Sequence, residues 1–209
     1  MDLYLFDFDH TLYAYDMRWR LPALATAAGT SQYRLAKAWW AAGYERRAES
    51  GEWPDAEDYL DEFARVTESD RISLEQWAHA RSLASTPNPP VIEVLADVAR
   101  AGTVSLLSNN PSPFLAALPM MAPDVVAILG ENLVVSAAVG VRKPAPEIFE
   151  YALERYGATA ADTLFVDDSA ENVAGARALG IHAHHYDPKR GDRDEELRDA
   201  VRRFQDRAR

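Results

Sequence analysis

Asp7 and Asp9 stand two residues apart where the first apolar run of the chain, Leu3–Phe8, gives out. In an extended segment, side chains at i and i+2 leave the same face, so both carboxylates are expected to face one spot. Their mutual repulsion is costly unless a cation or a working proton offsets it. Other apolar runs end on polar groups in the same way. "LLSNN" closes on Ser108 and Asn109, "LFVDDS" closes on Asp167 and Asp168, and "GVRKP" sets Lys143 just ahead of a helix that begins at Pro144. Three or four carboxylates, with neither thiols nor paired histidines, suit a hard cation with oxygen ligands, and Mg2+ is the natural choice. An ion held by few carboxylates keeps positions for a phosphate oxygen. Lys143, Ser108 and the backbone N–H groups near Asn109 could take the remaining oxygens. An aspartate can then act as nucleophile, because an aspartyl-phosphate divides a difficult hydrolysis into two easier steps. The partner carboxyl can protonate the departing alcohol and afterwards accept a proton from water.

Taken singly, each segment has a plainer explanation. Asp7 and Asp9 could cap a strand-end turn, and Asp167, Asp168 and Ser169 could be a helix N-terminus, where acidic residues complement the macrodipole. Lys143 could be a surface lysine, and Ser108–Asn109 an ordinary turn. The case for a site rests on the four occurring together, at places where an open α/β sheet binds ligands beyond the carboxyl ends of its strands.

The elements that must position these groups are legible along the chain. Strands are predicted at 3–8, 103–108, 163–166 and 181–186, with further strands or strand-like pieces at 125–129 and 132–137. Helices are predicted at 91–101, 112–118, 144–157, 169–180 and from Arg193 to the end. Alternation of this kind gives an α/β fold with a parallel sheet covered on both faces. From about 16 to 86 the character changes to helical periodicity. Breaks fall at "AAGTS", "SGEWPD" and "ESDRIS", with Ser or Asp placed as N-caps, so about four helices are predicted. "STPNPP" reads as a linker or hinge that can form neither helix nor central strand.

Composition narrows the setting. The 209 residues are 48% apolar and 26% charged, ordinary for a globular chain with a proper core. The net charge of −11 argues against nucleic acid or an anionic membrane as a bulk partner. A small phosphorylated substrate remains compatible, because a local cation can reverse the field inside one pocket. With no cysteine there are no disulfides and no thiolate metal sites. No basic n-region precedes an apolar stretch at the N-terminus and no stretch approaches a membrane span, so the expected setting is cytoplasmic. The sequence assigns no oligomeric state.

Taken in order, the four segments resemble the signature motifs of the haloacid dehalogenase superfamily of phosphohydrolases. "DFDHT" is similar to its DxDxT signature, "LLSNN" to its second motif, "GVRKP" to its lysine motif and "FVDDSAENV" to its acidic fourth motif. The resemblance implies a Rossmann-like core at 1–13 and 90–209 and an all-helical cap at 14–89, inserted after the first strand. It implies that Asp7 is the nucleophile and Asp9 the general acid/base. Mg2+ would be held by the Asp7 carboxylate, the Asp9 backbone carbonyl and the Asp168 carboxylate, with Asp167 bound directly, through water or behind them. Thr11 would bond near Asp9 and steady the turn, Ser108 would bind a phosphate oxygen, and Lys143 would neutralise Asp7 and the transferring group, with Asn109 in support. The implied activity is Mg2+-dependent hydrolysis of a small phosphate monoester, such as a sugar phosphate or nucleoside monophosphate. The same fold also serves phosphomutases and metal-free 2-haloacid dehalogenases, and a non-catalytic binding module is the reading from another class. Dehalogenases lack the second Asp, so Asp9 favours phosphoryl chemistry.

Some residues outside the motifs draw attention. All five Trp lie in the helical insert, where most large side chains are expected in its core. Trp39, Trp40, Tyr44, Arg46 and Arg47 read as successive faces of one helix. Tyr13, Tyr15 and Arg46 or Arg47 are candidates for substrate contact. His182 and His184 share a strand face while His185 points away, which disfavours a metal cluster. His10 is expected to shape the turn.

Overall fold

The computed structural model describes residues 1–207; Ala208 and Arg209, the last residues of the predicted C-terminal helix, lie outside the described residues. β1 (Leu3–Phe6) and β2 (Tyr13–Tyr15) are followed by α1 (Met17–Ala27), α2 (Gln32–Leu35), a π-helical turn at Ala36–Trp40, α3 (Tyr44–Glu49), α4 (Ala56–Thr67) and α5 (Leu74–Leu83). β3 (Ser85–Pro87) then leads into α6 (Pro89–Val98), β4 (Thr103–Ser108), α7 (Ser112–Met121), α8 (Pro123–Leu129), β5 (Leu133–Val135) and α9 (Ser136–Val139). The chain closes with α10 (Pro146–Tyr156), β6 (Thr163–Asp167), α11 (Ala170–Ala178), β7 (His182–His185) and α12 (Arg193–Asp206). Among the described residues, no single helix is long and apolar enough to cross a membrane.

Five strands form one parallel sheet in the order β5-β4-β1-β6-β7. Parallel strands joined by helical crossovers are buried on both faces, which is why β1 is apolar at every position. Its side chains alternate between two cores. Leu3 and Leu5 join Phe149 and Phe165 on one side, while Tyr4 and Phe6 join Leu106, Phe114 and Val166 on the other. From β1 the chain passes to β4 on one side and later returns to β6 on the other. The carboxyl ends of β4, β1 and β6 therefore frame a topological switch point, where such sheets bind ligands.

The helices between β2 and β3 start where short polar side chains offer caps. Asp16, Ser31, Asp55 and Ser73 each accept a hydrogen bond from a backbone N–H in the first turn. The single helix predicted to carry Trp39 through Arg47 is broken instead. α2 passes into the π-helical turn, and Gly43 at φ 82° separates that turn from α3. Trp39 is thereby directed inward, edge-on to Tyr59 and Phe63 and stacked on Tyr44. These rings are continuous with the sheet-face core that holds Tyr4 and Phe6.

Two predicted elements need correction. Val125–Leu129 is helical, within α8, rather than a strand. Pro123 opens the helix, and the buried Val125 and Leu129 lie one turn apart on one face. A short apolar run does not by itself separate strand from helix. The "STPNPP" linker contains a short strand, β3, paired antiparallel with β2, and Pro89 and Pro90 fill the first turn of α6. The two chain crossings into and out of the insert are thus hydrogen-bonded to each other.

Trp39 is fully buried whereas Trp19 is 66% exposed. Replacing Trp39 by Ala is expected to lower stability by about 3–5 kcal/mol in urea denaturation. Trp19→Ala should stay within about 0.5 kcal/mol of the parent.

Candidate active site

β1 stops at Phe6, but the backbone N–H of Asp7 still donates to the Val166 carbonyl at 2.9 Å, so the first carboxylate continues the ladder between β1 and β6. The chain then leaves the sheet. His10 takes φ 60°, the left-handed region, and its N–H donates to the Tyr13 carbonyl at 2.6 Å to close the turn. Asp7 is buried and Asp9 is partly exposed. The two do not share one face of a continuing strand, because the strand ends before either of them. They are joined through side chains instead. The Ser108 hydroxyl donates to Asp7 Oδ1 at 2.9 Å, and the Asn110 amide donates both to Ser108 Oγ at 3.0 Å and to Asp9 Oδ2 at 3.1 Å.

Lys143 reaches the same point from the loop before α10. Its Nζ lies 2.9 Å from Asp7 Oδ1, 2.6 Å from Asp167 Oδ2 and 2.6 Å from the Leu107 carbonyl. An ammonium has three donors and no acceptor; two are hydrogen-bonded, to Asp167 and Leu107, and the charge is also paired with Asp7. Asn109 holds the lysine's own backbone: its amide donates to the Lys143 carbonyl at 3.0 Å, and its carbonyl accepts the Lys143 N–H at 2.8 Å. Lys143–Pro144 is a cis peptide bond, and α11 packs against this loop at Gly175, where a Cβ would meet the Pro144 carbonyl oxygen at 2.8 Å.

Asp167 is buried and fully occupied. Besides Lys143 it accepts from the Ser169 N–H at 2.8 Å and from the Asn172 amide at 3.0 Å. Asp168 is half-buried, and its backbone carbonyl lies 2.8 Å from His185 Nε2. Carboxylate oxygens of Asp7, Asp167 and Asp168 lie within 4.8 Å of one another. Burial pushes the Asp7 carboxyl up to about 7 against the lowering effect of Lys143, with Asp167 adding to the rise. Burial, reinforced by Asp167, also raises Asp168. For Lys143 burial acts downward, but the charges of Asp167 and Asp7 outweigh it and hold the ammonium above its ordinary value. The centre thus has more negative charge than one lysine balances. The donor set is all oxygen and fits a hard divalent cation.

The structure brings Asp7, Asp9, Ser108, Lys143, Asp167 and Asp168 to one rim. It places Asn109 behind Lys143 rather than facing a ligand. Thr11 is fully buried, and its hydroxyl finds no hydrogen-bond partner among the described residues. The turn is tied instead by its carbonyl, which accepts from the Asn88 amide at 2.9 Å. Of the residues outside the motifs, Tyr13 is buried and donates to Asp124 at 2.7 Å. Arg47 is committed to Glu52, Tyr44 and Trp53, with Arg46 exposed on the same helix. His182 packs on Phe204, and only His185 of the three histidines touches the rim.

Two residues at the rim escaped the sequence reading. Asn110 stands two positions after Ser108, a spacing that could have drawn it in. Arg81, at the end of α5, had no local signal. Its Nη2 lies 2.6 Å from each carboxylate oxygen of Asp9. A second ion pair crosses from the insert nearby, between Arg142 and Glu49 at 2.9 Å. Glu49 is pushed up to about 7 by burial despite that arginine.

Comparisons with known proteins fit this geometry. Among relatives, a sesquiterpene phosphatase from Aspergillus oryzae is 33% identical over 100 residues, 47% of this chain and 50% of that protein. A phosphoglycolate phosphatase from Pectobacterium atrosepticum is 30% identical over 121 residues, 57% of this chain and 51% of the relative. The chain thus spans about half the length of the curated relatives it matches. The fold is shared with a HAD family enzyme from Bacteroides thetaiotaomicron, solved as a magnesium complex. That likeness has a TM-score of 0.74 at 20% identity and covers 91% of this chain and 96% of that one. The family model for haloacid dehalogenase-like hydrolases matches residues 1–180, and the chain belongs to that family.

Proposed function

We propose that this chain is a Mg2+-dependent phosphomonoesterase that hydrolyses a small phosphorylated metabolite, a sugar phosphate or nucleoside monophosphate, through an aspartyl-phosphate on Asp7. The observation that carries this reading is the meeting of Asp7, Asp167 and Asp168 within 4.8 Å while a single ammonium serves two of them. The phosphatase names of the relatives support the same reaction class.

Mg2+ would be held by the carboxylates of Asp7 and Asp168 and the backbone carbonyl of Asp9, where it would neutralise and orient the phosphoryl group. Asp167, occupied by Lys143, Ser169 and Asn172, orders the site from behind. Lys143 and Ser108 both approach Oδ1 of Asp7, which leaves Oδ2 as the attacking oxygen. In the first step, Oδ2 of Asp7 bonds to phosphorus, the ester P–O bond breaks and Asp9 passes a proton to the leaving oxygen. In the second, Asp9 takes a proton from water as that water attacks phosphorus and frees Asp7. The insert serves as the cap that excludes bulk solvent during both steps.

With a panel of small phosphate esters and Mg2+, kcat/KM should rank the substrates, and EDTA should abolish turnover until Mg2+ is restored; metal-free activity on a 2-haloacid would instead favour a dehalogenase. Asp7→Asn should reduce turnover by about 10^4-fold or more. Asp9→Asn should retain Mg2+ binding but lose about 10^2–10^4-fold in kcat. Asp168→Asn should weaken Mg2+ at least about tenfold by calorimetry. Loss of Mg2+ binding in Asp9→Asn with chemistry intact would contradict these roles.

Asp7 also sets a pH dependence. Its native carboxyl titrates near 7 against an ordinary value of 3.8, so between those values the native state holds a proton that the unfolded chain has released. This residue's contribution to stability therefore falls as pH rises through that window and levels off above it. Urea melts in EDTA between pH 5 and 8 should show the fall in the parent protein. Asp7→Asn should show a smaller fall, with the remainder coming from Glu49 and Asp168, which burial also raises.

A further inference from the structure

Arg81 is 2% exposed, and its guanidinium carbon lies at the insert–core junction, 4.1 Å from the Tyr15 ring centroid and 5.6 Å from that of Phe114. Its contact with Asp9 is peculiar. One nitrogen, Nη2, serves both carboxylate oxygens and lies 3.4 Å from Asn110 Oδ1, while the buried Nε finds no partner among the described residues. A guanidinium pairs best with a carboxylate or phosphate through two parallel N–H bonds. A buried donor left unpaired is costly. Arg81 is therefore held in a partial pairing, with one donor of its fork left unused.

The guanidinium reaches the rim through Nη2. Arg81 Nη2 meets Asp9, which shares Asn110 with Ser108, and Ser108 bonds Asp7. Through Asn110, whose Oδ1 is 3.4 Å from Nη2, and Ser108, the guanidinium stands two side chains from the proposed nucleophile, on the side where Asp9 would serve a leaving group. With both oxygens on Arg81, Asp9 has neither directed at an ester oxygen. Asp9 is the more exposed partner, 23% against 2%, and has the shorter side chain, so it is the one able to turn.

We propose that Arg81 is a phosphate-binding residue held in reserve: an incoming phosphoryl group takes the Nε–Nη2 edge of its guanidinium, and Asp9 is thereby released toward the leaving oxygen. The proposal rests on the phosphatase reading of the Asp7 site. It makes Arg81 a direct contact of the substrate, not only a counter-charge for Asp9.

The test is binding of inorganic phosphate in the presence of Mg2+, followed by calorimetry in the parent protein, Arg81→Met, Arg81→Lys, Asp9→Asn and Asp9→Asn/Arg81→Met. Arg81→Met should weaken phosphate by about 10–100-fold, with Arg81→Lys between it and the parent. The decisive comparison is in the Asp9→Asn background, where the counter-charge role is gone and no buried charge is stranded by the second substitution. There Arg81→Met should cost a similar factor. A loss that disappears in that background, or no loss in either, would overturn the proposal, because Arg81 would then act only on Asp9 or not at all. If the parent itself neither binds phosphate nor hydrolyses any phosphate ester, the phosphatase reading falls and this proposal with it. Phosphate binding unaffected by Arg81, in an active parent, overturns the proposal alone.

Discussion

The three close contacts of the Lys143 ammonium, two hydrogen bonds and an ion pair, hold the rim together. They end on the Leu107 carbonyl of β4, on Asp7 just beyond β1 and on Asp167 at the end of β6. One buried cation thus ties three neighbouring strands at the edge where the sheet changes direction. A buried ammonium is costly to desolvate and is tolerated only when its partners are well placed. Here the strands supply that placement: the registers Leu3–Phe6 against Thr103–Leu106 and Thr163–Val166 bring the three strand ends level. The lysine is in turn fixed at its backbone by Asn109 and by the loop that Gly175 allows α11 to approach.

The same arrangement leaves a charge imbalance that defines the chemistry. Lys143 is shared by Asp7 and Asp167, so Asp168 lies beside a pair that is already balanced by less than one cation per carboxylate. The upward displacement of Asp7 and Asp168 expresses that excess, with burial as its main cause. A site that only needed structural integrity would be better served by replacing one carboxylate with an amide. Retaining all three oxygen donors is the arrangement expected where a cation is to be admitted.

How much of this was written in the sequence depends on the range of the interaction. The strands ending in Asp7, Ser108 and Asp167 were legible, because full burial on both faces demands continuous apolar runs and the polar residue that ends each run is conspicuous. The N-caps Ser31, Asp55 and Ser73 were legible for a similar reason, since capping is settled within one turn. Val125–Leu129 was misread as a strand because β-branched residues in a short run carry both signals, and the deciding influence was Pro123 together with burial from across the fold. The β2–β3 ribbon was hidden because its two strands are three residues each and separated by the entire insert. Thr11 was expected to bond near Asp9; its hydroxyl finds no partner among the described residues, and its carbonyl bonds Asn88, which lies beyond the insert in sequence.

Arg81 marks the limit of sequence reading. It lies 72 residues from Asp9, in a helix whose other buried residues are apolar, and nothing local separates it from the surface arginines of the insert. Its significance comes from the fold: the β2–β3 ribbon fixes where α5 re-enters the core, and Tyr15 of that ribbon supplies the face on which the guanidinium stacks. The core rim is filled by groups serving one another, with Lys143 shared, Asp167 enclosed and Asn109 turned backward. The insert meets that rim through side chains such as Arg81, on Asp9 and Tyr15, and Glu49, on Arg142. Burial separates the two layers: the core rim is held by groups that serve one another at the strand ends, whereas the insert reaches it through side chains whose place only the folded chain sets.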